Sequence, residues 1–148
     1  MLTSIAISSE ELATRRARLR EQLDAAGLAG AVLFDNYYVL YYAGFAFIPT
    51  ERPIAFVVST GGEPAMLVPR LEVEHARSAT GIERIAHYGE FPGIPRAETS
   101  LAELLADMGI AGRIGADQDG YPWILGYQGP ALSELGRASC RERVSLNV

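Results

Sequence analysis

The stretch at residues 37–58, YYVLYYAGFAFIPTERPIAFVV, constrains the fold more than any other part of the chain. It contains an aromatic segment that ends at Gly44, a polar elbow at residues 49–53, and then a continuous apolar run. A continuous apolar run next to turn residues is typical of a strand that is buried on both faces of a sheet. We therefore expect a short aromatic helix, an exposed elbow and a central strand.

The rest of the chain alternates between helical and extended patterns. Ser8 and Glu11 fit the S-x-x-E capping box of a first helix, and Gly27 is a suitable residue to end that helix. Asn36 is expected to cap the aromatic helix, and Gly61-Gly62 is a strong hairpin signal. Strands are predicted at residues 30–35, 54–60, 64–68, 82–88 and 113–117, and further helices at 71–79, 99–108 and 131–135.

This order predicts an α/β domain whose mixed β-sheet is flanked by helices. We expect one antiparallel hairpin in the sheet, with the other strands joined by helical crossovers. The first helix carries Arg15, Arg16, Arg18 and Arg20 after an acidic first turn. Acids at the start and cations further along suit the helix dipole, so these arginines are expected on a solvated outer face.

Composition excludes several classes of protein. A chain of 148 residues is long enough for one domain with a core. The net charge of −5 argues against nucleic acid or an anionic membrane as the main partner, because both need a basic face. No apolar run approaches the roughly 20 residues that span a bilayer, and the N-terminus lacks a signal-peptide pattern. We therefore expect a cytoplasmic protein.

Disulfide and zinc sites are not predicted. Cys140 is the only cysteine, so an internal disulfide is impossible. His75 and His87 have no cysteine or second histidine at zinc-ligand spacing. Asp35 and Asp117 both end predicted strands and could meet at one sheet edge. A nuclease would need such carboxylates to hold two metal ions, but the acidic net charge argues against that alternative.

The last residues, 136–148, differ in character from the rest. The sequence GRASCRERVSLNV has no apolar stripe and resembles the translation of a sequencing adapter. We predict that residues 8–135 form one domain, incomplete at its C-terminal end, and that residues 136–148 are a foreign tail. The alternative is a natural frayed terminus.

Three segments together resemble a known family. They are GAVLFDNYYVLYYAG at 30–44, ERPIAFVV at 51–58 and GEPAMLVPRLE at 62–72. Their order and spacing resemble the N-terminal domain of the creatinase and Xaa-Pro aminopeptidase (prolidase) family, over about residues 10–135. The resemblance implies a ribonuclease-H-like αβ motif.

In that family the N-terminal domain precedes a larger pita-bread domain, which holds two divalent metal ions (Mn, Co or Zn) and performs catalysis. The resemblance therefore implies a non-catalytic domain of a dinuclear-metal Xaa-Pro aminopeptidase or dipeptidase, which acts on short proline-containing peptides. Such a domain helps to form a homodimer and covers the partner subunit's active site. This chain ends before any metal ligand of the family, so the fragment itself is expected to be inactive. The alternatives are a creatinase-like amidinohydrolase and a stand-alone interaction domain.

Arg52 is the first candidate for a binding residue. An arginine at the matching place in creatinase-like relatives reaches the substrate's carboxylate across the dimer, and the resemblance implies the same role for Arg52. Its alternative is a surface arginine paired with Glu51. Phe47 and Tyr38 could line the same pocket or belong to the core, and Trp123 could anchor an interface or cap the sheet edge.

Overall fold

The computed structural model describes residues 7–48, 50–89, 96–121 and 129–135, together with the backbone of residues 143–145. The helices are α1 (Ser9–Ala25), α2 (Asn36–Ala43), α3 (Val73–Thr80) and α4 (Ala97–Asp107). The strands are β1 (Gly30–Leu33), β2 (Ala55–Ser59), β3 (Ala65–Pro69), β4 (Arg84–Tyr88), β5 (Ile114–Ala116) and β6 (Arg143–Ser145). None of the helices in these residues has the length and apolar character needed to cross a membrane.

The strands form one mixed sheet in the order β4-β3-β2-β1-β5-β6. β1, β2 and β3 pair antiparallel, and β5 then pairs parallel to β1, which is the ribonuclease-H-like arrangement. β4 and β6 extend the two edges through parallel pairing. The predicted mixed α/β sheet is therefore confirmed.

The predicted hairpin at Gly61-Gly62 joins β2 and β3 and is confirmed, but the expected crossover between β1 and β2 is wrong. β1 and β2 form a second antiparallel pair, although a helix lies between them in the chain. The reason is that α2 and the elbow together reverse the chain. They return it beside β1 in the opposite direction, instead of carrying it across the sheet to a parallel position.

The sheet is covered on both faces, which explains the continuous apolar runs. In β2, Phe56 and Val58 pack on the side of α1, α2 and α3, whereas Ala55 and Val57 pack on the side of α4. Every residue of β1, β2 and β3 is buried. Since alternate side chains of a strand point to opposite faces, both sets must be apolar.

Helix α1 has the predicted boundaries, but the prediction of a solvated face is wrong for three of its four arginines. Ser8 Oγ accepts the N–H of Glu11 at 3.1 Å, and Gly27 has a φ of 66° after the last turn. Arg18 is exposed, whereas Arg15, Arg16 and Arg20 are only partly exposed and bond to other elements. They face inward because positions 16 and 20 share a helix face with the buried leucines of α1.

The C-terminal region differs from the prediction in two elements. The helix predicted at residues 131–135 is only a 3₁₀ turn, Leu132–Glu134. β6 lies in the tail at residues 136–148 and pairs with β5, and the foreign origin of that tail stays a prediction. Trp123 lies outside the residues that the structure describes.

Substitution of Gly30 by alanine should destabilise the domain. A Cβ at this position would lie 2.5 Å from the carbonyl oxygen of Val58 on the neighbouring strand. We expect Gly30→Ala to lower the free energy of unfolding by about 1–3 kcal/mol, the usual cost of overpacking a core. Urea denaturation measures this change.

Gly61→Ala is the matched control, because a Cβ at Gly61 would meet nothing within 4 Å. Equal losses of stability in both variants would contradict steric crowding as the cause.

Candidate functional site

The chain is anchored at the end of β1 by a carboxylate that follows β5. Asp117 accepts the backbone N–H groups of Phe34 at 3.0 Å, Asp35 at 2.6 Å and Gln118 at 2.9 Å. Burial raises the pKa of Asp117, and the hydrogen bonds from these N–H groups act in the opposite direction. The carboxyl group therefore fixes the direction in which the chain leaves the sheet.

Asp35 then starts helix α2. Its Oδ1 accepts the N–H of Tyr37 at 2.8 Å, so Asp35 is the N-cap, one residue before the predicted Asn36. The predicted meeting of Asp35 and Asp117 at one sheet edge is confirmed through the backbone of Asp35. Both carboxylates accept backbone N–H groups. In the described part of the chain, no three His, Cys, Asp or Glu side chains come together as metal ligands.

The C-terminus of α2 is capped by arginines of α1. Arg15 donates to the carbonyl oxygen of Tyr41 at 3.1 Å, and Arg16 donates to that of Tyr42 at 2.7 Å. Cations at this end of a helix satisfy its last carbonyl groups and oppose the helix dipole. Gly44, with a φ of 74°, ends the helix in the left-handed conformation. Helix α1 thus determines where the chain starts towards the elbow.

The segment before the elbow is held by aromatic contacts. Phe45 is fully buried, stacks on Phe47 at 5.6 Å between ring centroids, and meets the edge of His75 at 4.8 Å. His75 Nδ1 lies 2.9 Å from a carboxylate oxygen of Glu72, which orients the imidazole. Ile48, three residues after Phe45, is 86% exposed.

Two tyrosine hydroxyls hold the backbone of the elbow. Tyr121 donates to the carbonyl oxygen of Thr50 at 2.7 Å, and Tyr88 donates to that of Pro53 at 3.0 Å. The hydroxyl of Thr50 accepts the N–H of Arg52 at 3.2 Å. Burial raises the pKa of Tyr121, which keeps its hydroxyl protonated as a donor. These bonds fix the residues on both sides of Arg52.

Arg52 lies at the surface of this fixed elbow. Its side chain is 44% exposed, and Nε lies 3.8 Å from a carboxylate oxygen of Glu51, whose side chain is 62% exposed. An exposed ion pair of this kind contributes little to folding stability. The pairing with Glu51 that the sequence offered as an alternative is therefore present, and it does not preclude a role in binding.

Phe47 and Tyr38 are both partly buried against the core on the α1–α3 side of the sheet. The structure brings these two residues to the same cluster, while Arg52 lies beyond it on the elbow. The binding roles of all three stay predictions, as does the interface role of Trp123.

Sequence reasoning missed four residues that shape this region: Arg15, Arg16, Tyr88 and Tyr121. Arg16 had a usable signal, because it lies at helical spacing between Leu12 and Leu19, where a further apolar residue would be expected. Tyr88 and Tyr121 had none. They are 35 and 71 residues from the carbonyl groups that they bond.

The comparison with protein families gives a clear result. The model described as "Creatinase/Prolidase N-terminal domain" matches residues 15–128. This chain belongs to the creatinase/prolidase N-terminal domain family. The predicted resemblance is thereby confirmed, and the elbow and α2 both lie inside the matched range. No curated protein matches the sequence.

Solved structures share the fold of this creatinase/prolidase N-terminal domain. The N-terminal domain of an X-Pro dipeptidase from Streptococcus pyogenes is 22% identical, with a TM-score of 0.70, over 90% of this chain and 93% of that one. The Xaa-Pro dipeptidase from Bacillus anthracis is 19% identical, with a TM-score of 0.67, over 91% of this chain but 33% of that one. The N-terminal domain of the cytoplasmic peptidase PepQ from Mycobacterium tuberculosis is 23% identical, with a TM-score of 0.56, over 70% and 72%.

Removal of the tyrosine hydroxyls should weaken the elbow unequally. Pro53 is buried, so Tyr88→Phe leaves its carbonyl group without a donor and should cost about 1–3 kcal/mol. Thr50 is exposed, so water can replace the hydroxyl lost in Tyr121→Phe, at a cost of about 0.5–1.5 kcal/mol. Urea denaturation of both variants tests this order, and a larger loss in Tyr121→Phe would contradict it.

Asp117→Asn should destabilise the domain by about 1–3 kcal/mol at neutral pH, because an amide cannot accept all the N–H groups that the carboxylate accepts.

Since the folded-state pKa of Asp117 is raised, the native state binds its proton at a higher pH than the unfolded state does. The wild type therefore gains stability as the pH falls through that pKa, and the Asn variant does not. We expect the difference in the free energy of unfolding between the wild type and Asp117→Asn to be larger near the raised pKa than at neutral pH. Urea denaturation at both pH values measures it. A smaller difference in acid would contradict the raised pKa, and would mean that the hydrogen bonds from the backbone N–H groups lower the pKa of Asp117 by more than burial raises it.

Proposed function

We propose that this chain is the non-catalytic N-terminal domain of a dinuclear-metal Xaa-Pro aminopeptidase or dipeptidase. In this proposal the domain helps to form a homodimer and covers the active site of the partner subunit. The observation that carries the proposal is an exposed arginine, Arg52, on an elbow whose backbone is fixed on both sides. The family to which the chain belongs agrees with it.

The chemistry of Arg52 suits a peptide substrate. A guanidinium binds a carboxylate through two parallel hydrogen bonds, and a short peptide presents one carboxylate at its C-terminus. Holding the elbow in advance reduces the entropy lost when the ligand binds. Phe47 and Tyr38 would add apolar contact for a proline ring, and Arg52 would orient the peptide.

Exposed apolar side chains on α2 and just before the elbow support an assembly role. Ile48 is 86% exposed, and Tyr37 and Tyr41 on α2 are 74% and 42% exposed. Large exposed apolar side chains are candidates for contact with another protein surface. The Bacillus anthracis relative, of which this chain spans 33%, shows that the domain can occur in a much longer protein. In our proposal these side chains face a C-terminal pita-bread domain.

The metal chemistry would belong to that other domain. The described residues bring no group of three metal ligands together, so the present residues do not fit a metal site and we derive no metal-assisted step for them. Two divalent ions (Mn, Co or Zn) would be bound by the C-terminal domain of the parent enzyme. The described relatives are named as dipeptidases or peptidases, one of them cytoplasmic, which favours peptide hydrolysis in the cytoplasm over creatine hydrolysis or a stand-alone role.

Arg52→Ala, in an enzyme encoded by the gene extended through its C-terminal domain, should raise KM for Xaa-Pro dipeptides at least about tenfold. The reason is the loss of a charged hydrogen bond to the substrate's carboxylate. Arg77→Ala is the matched control, because Arg77 is 45% exposed and also pairs with a neighbouring glutamate, but lies on α3. Steady-state kinetics with added manganese or cobalt measures the change. An equal KM in wild type and Arg52→Ala would remove Arg52 from the site.

The action across the dimer has its own test. Arg52→Ala subunits are mixed with subunits that retain Arg52 but lack a metal ligand in the C-terminal domain. If Arg52 acts on the partner, the mixed dimers recover active sites with the wild-type KM. No recovery would show that Arg52 acts within its own subunit. Activity on creatine but not on proline dipeptides would favour the amidinohydrolase alternative.

A further inference from the structure

Arg16 and Arg20 form a pair of cations on the inward face of α1. They are one helical turn apart and both are partly buried. Arg16 Nε donates to the carbonyl oxygen of Tyr42 at 2.7 Å, and Arg20 Nη2 donates to that of Gly62. The pair therefore lies between α1, the end of α2 and the turn that joins β2 to β3.

Each guanidinium uses only half of one edge. Nε and Nη2 lie on the same edge of an arginine side chain, and together they fit two oxygens of a carboxylate, phosphate or sulfate. Arg16 bonds through Nε, while its Nη2 is buried without an acceptor. Arg20 bonds through Nη2, while its Nε is buried without an acceptor. In each arginine, one carbonyl oxygen therefore bonds to an edge that could bind two oxygens of an oxyanion.

The charges of the pair are also not neutralised by an ion pair. Neither arginine has a carboxylate at ion-pair distance among the described residues, whereas Arg15 and Arg77 each have one. Burial lowers the pKa of Arg16, and the charge of Arg20 lowers it further. Glu63 is near enough to oppose this effect, but its side chain is exposed. Two close cations and two unused donors are what an anion would satisfy.

We propose that Arg16 and Arg20 form a binding site for one small oxyanion, of the phosphate, sulfate or carboxylate class. The ion would accept Arg16 Nη2 and Arg20 Nε, and would join α1 to the β2–β3 turn. The buried position would exclude bulk water, which strengthens charge-assisted hydrogen bonds. This site is independent of Arg52 and of the proposed function.

Anion binding to the folded state alone raises the unfolding temperature. We expect phosphate and sulfate, at about ten times their Kd, to raise the midpoint of the 148-residue chain by about 3 °C or more, compared with sodium chloride at equal ionic strength. The same measurement in sodium acetate tests whether the site also binds a carboxylate. Equal midpoints in all these salts would overturn the proposal.

Substitutions locate the effect. Arg16→Lys and Arg20→Lys keep the charge but remove the forked edge, so the shift in phosphate should fall by at least about half while the variants remain folded. Arg18→Lys is the control, because Arg18 is exposed on the same helix, and it should keep the full shift. A full shift in Arg16→Lys and Arg20→Lys would overturn the proposal.

Glu63→Gln separates a free anion from a carboxylate of the same chain. If a free oxyanion is the ligand, the loss of a nearby negative charge should enlarge the shift in phosphate. If Glu63 itself pairs with the arginines in solution, the unfolding midpoint of the wild type should not respond to phosphate. In that case Glu63→Gln should lower the midpoint measured without phosphate. That result would overturn the site as proposed.

Discussion

Asp117 accepts the N–H groups of Phe34 and Asp35, and so ties the end of β5 to the end of β1 across 82 positions of sequence. Asp35, held in this way, caps α2 with its own carboxylate. The direction in which the chain leaves β1 and the start of α2 therefore both depend on the carboxyl group of Asp117. Without it, the N–H groups of Phe34 and Asp35 would lose the acceptor that fixes the direction of the chain after β1.

The elbow is held from two different layers of the fold. On one face of the sheet, Arg15 and Arg16 of α1 cap the helix that precedes it. On the other face, Tyr88 and Tyr121 belong to the core beneath α4 and bond the elbow's carbonyl groups. A displacement of either layer would move the elbow, so its geometry depends on the packing of the whole domain. Function on a loop requires this kind of rigid support.

The sequence predicts the parts of this arrangement that depend on local patterns. The apolar runs of β1, β2 and β3 identify strands buried on both faces, and the order of helices and strands predicts the mixed sheet. The antiparallel pairing of β1 with β2 was not predicted, because it depends on how α2 and the elbow turn the chain. Tyr88 and Tyr121 could not be assigned either, since their partners are distant in sequence. The prediction that Arg16 is solvated was wrong, because it relied on the helix dipole and not on the position of Arg16 among the buried leucines of α1.

Arg16 and Arg52 lie in different surroundings. Arg16 is partly buried, bonds a helix end and lies beside a second cation, so its removal would disturb the fold. Arg52 is 44% exposed and pairs with an exposed glutamate, and such a pair adds little to stability. The ion pair with Glu51 is therefore a weak constraint on the side chain, whereas the surrounding backbone is held firmly. The proposed binding role of Arg52 rests on this combination of an exposed guanidinium and a backbone that is held on both sides.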